Sequence, residues 1–313
     1  MACQKIAAKD IYTLIAITLL WGANFSVIGV SLNTVDPYML TALRFTCCAF
    51  PLVCFLKKPE SVSYLSILLY GLLFGAGMAG FLNIAIAWGT SPGVASLVLQ
   101  FSAFFTVIWG VLLFREKLNA IEVVAILIAL AGLALVIHAS DDDRSLIGTG
   151  FVLLAALCWS LCNIMVKSIP LQDAFAFLVW SCLFAVPPVF VATYLIQGAA
   201  PFIALTQGYS TDVYLAVFYQ AYISTLLGYW VWNQQMKKHP VSQIAPYSII
   251  VPLSGLFISW WIFNEDISTE KVVAALITII ALGLFMNSRR LAAYIDRSAR
   301  FYARPSSSTP DKR

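Results

Sequence analysis

The chain has 313 residues, 61% of them hydrophobic and only 11% charged, with a net charge of +4 and a mean hydropathy of +0.86. A soluble protein carries about 25% charged residues, so this chain cannot cover a water-facing surface and must be solvated by lipid. At about 20 apolar residues per membrane-spanning helix, the length accommodates roughly ten helices with short loops.

Taken in order, the apolar runs predict helices over 11–32, 38–56, 64–87, 92–114 and 121–137. A polar loop carrying Asp141, Asp142 and Asp143 then divides the chain. Five more runs follow at 148–166, 174–195, 213–234, 242–263 and 271–286. The first run has no small-residue cleavage site after it, so it reads as a retained helix and not a removed signal. Pro187-Pro188 should kink the seventh helix, and Pro246 and Pro252 interrupt the hydrogen-bond ladder of the ninth. Gly71 and Gly75 lie four apart in the third helix, a spacing that allows close helix approach.

The chain contains one stretch twice. A shift of 149 positions lays Phe114 and Glu116 on Phe263 and Glu265, and Val123, Val124, Ala125, Leu127, Ile128 and Leu133 on Val272, Val273, Ala274, Leu276, Ile277 and Leu282. An internal repeat in an apolar chain is a transporter signature. Orientation follows from the basic residues. With the N-terminus in the cytoplasm, sixteen of the nineteen lysines and arginines fall on the inner side, and Arg144 and Lys271 fall outside. Arg44 lies within the second helix. The expected fold is all-α, with ten transmembrane helices as two inverted five-helix repeats, residues 1–139 and 140–287. A basic cytoplasmic tail follows at 288–313. Both termini are expected in the cytoplasm of a bacterial inner-membrane, multi-pass protein. Glu116 and Glu265 are expected to order the turns into the fifth and tenth helices, where a carboxylate meets the positive end of the helix dipole.

Cys47, Cys48, Cys54, Cys158, Cys162 and Cys182 lie in apolar runs and read as small hydrophobes. Neither they nor His138 and His239 have metal-ligand spacing, and no cofactor is expected. There is no Walker motif, so ATP does not drive the protein directly. No Asp or Glu lies in a helix middle, so the sequence names no coupling ion.

Trp21-Gly-Ala-Asn24-Phe25, Leu43-Arg44-Phe45, and Gly93 through Gln100 to Phe114-Arg-Glu116 are echoed by Trp159-Ser-Leu-Cys-Asn163, Ala245-Pro246, Pro252 and Phe263-Asn-Glu265. Together they resemble the EamA family of the drug/metabolite transporter superfamily, most nearly the bacterial O-acetylserine/cysteine exporter type. The resemblance spans all ten helices. It implies a secondary transporter and not an enzyme. Its partners would be a small-molecule substrate, an amino acid or related metabolite, and the lipid bilayer, with no nucleic acid. It would act as a monomer or homodimer. The first helix has Gly29 where such proteins often carry a lysine, while Lys167 keeps a comparable place in the sixth. Any substrate-carboxylate role for that first lysine is therefore lost or moved.

Trp21 and Trp159 fall near the bilayer middle, although tryptophan prefers the interface. Asn24 and Asn163 stand about one turn further on the same faces. These pairs either pack between helices or line a central substrate cavity. Arg44 lies roughly 10 Å inside the second helix. It either snorkels outward or faces a cavity, a polar cluster or a substrate carboxylate. Asn83, Gln100 and Gln220 are further candidate donors, and structural hydrogen bonding accounts for them equally well. The substrate-binding candidates are thus Trp21, Asn24, Arg44, Asn83, Gln100, Trp159, Asn163 and Gln220. The leading expectation is export of small amino acids or their metabolites by alternating access. Alternatives are uptake or exchange of a larger metabolite such as S-adenosylmethionine, a membrane scaffold, or an integral membrane enzyme.

Overall fold

The computed structural model describes residues 6–115, 118–139, 143–169, 173–239, 241–264, 268–288, 290–292 and 294. The elements are helices joined by short turns. Among the described residues, eight helices are long and apolar enough to cross a membrane. They are α1 (Ala8–Ser31), α2 (Pro37–Cys54, of which Pro37–Ala49 is α-helical), α3 (Tyr64–Ala87), α4 (Pro92–Leu113), α5 (Ala120–His138), α6 (Asp143–Ser168), α7 (Ala174–Gln197) and α10 (Thr269–Met286). Between α7 and α10 lie α8, built from Thr211–Phe218, Tyr219–Leu227 and Gly228–Lys238, and α9 (Ile250–Phe263). The protein is an all-α, multi-pass membrane protein.

Local chemistry sets the helix ends. Asp36 caps α2 by accepting from the amides of Tyr38 and Met39, and Ser91 caps α4 by accepting from Val94. Each satisfies backbone donors that the first turn leaves free. Asn119 and Glu122 form a reciprocal capping box on α5, and Ser268 accepts from the Lys271 amide at the start of α10. Asn119 and Ser268 are 149 residues apart. So are Arg115 and Asn264, which end α4 and α9 in left-handed backbone, at φ 54° and 47°. Glu116 and Glu265 lie outside the described residues, and the caps of α5 and α10 are Asn119 and Ser268.

Four predicted helices depart from unbroken α-helix. A nine-residue π-helical stretch occupies Leu72–Gly80 in α3, and another of equal length occupies Tyr219–Leu227 in α8. α4 is interrupted between Val98 and Phe101. The run at 242–263 is helical from Val241, passes through a 3-10 stretch at Ala245–Ile249, and becomes α9 only at Ile250. Pro252 is accommodated inside α9, and Pro187 and Pro188 inside α7. A short helix, Ala200–Gln207, precedes α8 and was not expected from the sequence.

The helices pack in matched pairs. α1 runs along α9, and α6 along α4. α3 lies on α6 and α7, while α8 lies on α1 and α2. α2 faces α7, and α5 faces α10. Gly71 and Gly75 make the α3–α7 approach possible, because a Cβ at either would run into the Ser181 carbonyl or the Ala185 side chain. α5 and α10 pack on each other and leave Leu127, Leu130, Leu276 and Ile280 exposed, a surface suited to lipid.

Candidate substrate site

The site is built around the π-helical stretch of α8. A wider helical turn tilts backbone carbonyls away from the ladder, and such turns recur at functional sites. Here side chains reach those carbonyls. Trp21 of α1 donates its indole N–H to the Ser224 carbonyl at 2.8 Å. Thr225 donates its hydroxyl to the Gln220 carbonyl five residues earlier, at 2.7 Å. The Cys48 thiol of α2 lies 3.6 Å from the Ala221 carbonyl. An indole inside an apolar helix bundle would otherwise leave its N–H unpaired, and the π stretch supplies the acceptor.

Aromatic rings gather one turn below. Tyr229 is the hub, with ring centroids 5.4 Å from Trp21 and 5.6 Å from both Trp159 and Phe74. Trp21 also meets Trp232 at 5.3 Å. Trp21, Trp159, Tyr229 and Trp232 are only partly buried. Gly228 lets the indole in, because a Cβ there would sit 2.5 Å from Trp21 Nε1.

Arg44 is buried on α2 and does not snorkel outward. Its Nε and Nη2 donate to Thr225 Oγ1 at 3.1 and 2.8 Å. Cys48, Cys182 and Tyr229 are its titratable neighbours, and none of the described carboxylates pairs with it. A guanidinium has five N–H donors, so the fork is only partly engaged.

The side chains of the other candidates find their hydrogen bonds outside this cluster, although the Gln220 carbonyl accepts from Thr225 within it. Asn163 donates to Thr106 Oγ1 of α4 at 3.3 Å, and Gln100, at the break in α4, donates to the Ser248 carbonyl at 3.1 Å. Asn83 donates to Thr41 Oγ1 at 2.9 Å, and Gln220 to Ser31 Oγ at 3.4 Å. Asn24 is buried on α1. The side-chain oxygens of Asn24, Asn83 and Gln220 are buried with no donor. Sequence reasoning missed Tyr229, Trp232, Phe74 and Thr225. The aromatic pair Tyr229 and Trp232 at i, i+3 next to Ser224 and Thr225 was the available signal.

Known proteins give this site its context. A model of the EamA-like transporter family matches twice, at residues 9–138 and 146–287. A protein of Salmonella typhimurium named "Probable amino-acid metabolite efflux pump" is 33% identical over 291 residues, covering 90% of this chain and 95% of its own. Its namesake in Escherichia coli is 32% identical over 288 residues, with the same coverage. The transporter YoaV of Bacillus subtilis, described as uncharacterized, is 25% identical over 293 residues. A solved crystal structure of a protein at 17% identity shares the fold, with a TM-score of 0.60 over 91% of this chain and 99% of its own. The chain, matched across both halves, belongs to the EamA-like transporter family.

Proposed function

We propose that this protein exports small amino acids or amino-acid metabolites across the bacterial inner membrane by alternating access, as an exporter of the O-acetylserine/cysteine type. Its ten helices form two inverted repeats of five, residues 1–139 and 140–287, with both termini and the 288–313 tail in the cytoplasm. Several observations support this arrangement. The family model matches twice. The α1–α9 pairing is answered by α6–α4, and α3 on α6 and α7 by α8 on α1 and α2. Five helices per half is an odd number, which inverts the second half. Sixteen of nineteen basic residues then face the cytoplasm.

The reading is carried by one observation: Trp21 of α1 and Trp159 of α6 meet on the same tyrosine, Tyr229. α1 and α6 are the first helices of the two halves, so their rings converge where the halves join. A zwitterion bound there gives its carboxylate to the free donors of Arg44 and its ammonium to a tryptophan face, a cation–π contact of about 1–2 kcal/mol. The names of the relatives from Salmonella and Escherichia coli favour amino-acid metabolites as substrates. Counterflow of labelled cysteine and O-acetylserine in proteoliposomes tests the reading. Saturable exchange supports it. No exchange of any amino acid by a monodisperse preparation would refute it.

A further inference from the structure

The chain has nine tryptophans, and an indole N–H inside an apolar bundle is costly unless it finds an acceptor. Trp88, Trp230, Trp260 and Trp261 lie on the exposed surface. Of the others, three are bonded within the protein. Trp21 donates to the Ser224 carbonyl at 2.8 Å, Trp109 of α4 to Ser160 Oγ at 3.1 Å, and Trp180 of α7 to the Leu56 carbonyl at 3.0 Å. Trp159 and Trp232 are partly buried, and their N–H groups have no acceptor among the described residues.

Trp21 and Trp159 therefore stand on the same tyrosine with different duties. Trp21 is fixed by the Ser224 carbonyl and by its seat on Gly228. Trp159 is held by ring contacts alone, 5.6 Å from Tyr229 at 71° and 5.6 Å from Phe74 at 37°. Two rings in different orientations fix the indole plane and leave its N–H unused. Trp232 has one ring contact among the described residues, with Trp21. Trp159 is also the one linked to Arg44 through rings. The guanidinium lies 5.8 Å from the Phe45 ring, and Phe45 lies 5.4 Å from Phe74, which touches Trp159.

We propose that Trp159 is the specificity-determining donor of this site, and that its indole N–H reads a carbonyl oxygen in the substrate's side chain. This rests on the exporter reading above. The protein then favours amino acids whose side chain carries an acyl ester or amide over those with an alkyl or thiol side chain. Arg44 spends two N–H groups on Thr225 and keeps the rest of its five. The unspent groups of Arg44 and Trp159 are thus all donors, and they call for a ligand with acceptors at two places. An O-acyl serine has them. Its carboxylate and its ester carbonyl are four bonds apart, roughly 5 Å when extended. The carboxylate takes Arg44 and the ester carbonyl takes Trp159, while the ammonium remains on an indole face. Replacing the ester by an ethyl ether leaves the Trp159 N–H without its acceptor, a loss of about tenfold in affinity.

Two measurements on the purified protein test this. The first is calorimetric titration of O-acetylserine and O-ethylserine, whose side chains have the same length and differ in the carbonyl. Wild type should bind the ester about tenfold more tightly. Trp159→Phe keeps an aromatic ring and loses the N–H, so the ratio should fall to about one. The second measurement needs no substrate. Trp21→Phe takes the donor from the Ser224 carbonyl and should lower the melting temperature. Trp159→Phe removes an N–H that holds nothing in the protein, and should melt close to the wild type. Equal affinities for ester and ether in wild type would overturn the assignment. So would an unchanged ratio in Trp159→Phe, or a melting temperature for it as low as that of Trp21→Phe. A wild type that binds neither compound would overturn the exporter reading and this assignment with it.

Discussion

Arg44 of α2 places two of its N–H groups on one oxygen, the hydroxyl of Thr225 on α8, at 3.1 and 2.8 Å. That hydroxyl donates in turn to the Gln220 carbonyl. A buried guanidinium is costly unless its donors are used, and Thr225 is the group that makes Arg44 tolerable while leaving part of the fork free.

Thr225→Val keeps the shape and removes the hydroxyl. It strips Arg44 of its acceptor and the Gln220 carbonyl of a donor. The expected cost is about 1–3 kcal/mol, read as a lower melting temperature in detergent, while Thr225→Ser should melt close to the wild type. Equal melting temperatures for all three proteins would mean that Arg44 has other support.

Gly228→Ala tests the seat of Trp21. Alanine favours a helix by about 1 kcal/mol over glycine, so propensity alone predicts a small gain. The added Cβ instead meets the indole at 2.5 Å. We expect a red-shifted tryptophan emission and weaker substrate binding, in a protein that still elutes as a single species. An unchanged spectrum and affinity would show that the indole relocates freely.

The nine-residue π stretches, Leu72–Gly80 and Tyr219–Leu227, should open more readily than the α-helical turns that flank them. Hydrogen exchange followed by mass spectrometry should show faster exchange there than in α5 or α10. Uniform protection along α3 and α8 would mean that these stretches are as rigid as the rest.

The orientation is open to labelling. In a cysteine-free variant, an impermeant maleimide added to intact cells should reach a cysteine at Asp212 and miss one at Lys57, both exposed positions. The reverse pattern would turn the protein over in the membrane.

Much of this arrangement was legible in the sequence, for stated reasons. The apolar runs located the membrane helices because lipid demands length and composition, which are local properties. The 149-residue spacing that aligns Phe114 with Phe263 also relates the left-handed caps Arg115 and Asn264, and the helix caps Asn119 and Ser268. Trp21 and Trp159 stood out because midplane tryptophan needs a reason. The π stretches were not legible, because apolar spacing averages over one extra residue per turn. Neither was the break in α4 after Val98, where no proline or glycine marks it. Tyr229 escaped notice because its importance lies in long-range contacts to α1, α3 and α6. Glu116 and Glu265 lie outside the described residues, and capping falls to Asn119 and Ser268.

Binding to purified protein tests the central claim most directly: an amino acid sits between the Trp21–Tyr229–Trp159 rings and Arg44. Calorimetric titration of cysteine and its amide should show the acid bound more tightly by wild type. Arg44→Lys keeps the charge and loses the planar fork, so it should weaken the acid more than the amide. Trp159→Leu should remain folded and lose affinity for both. An equal loss for acid and amide in Arg44→Lys, together with unchanged affinity in Trp159→Leu, would contradict the account and leave these residues as interhelical packing.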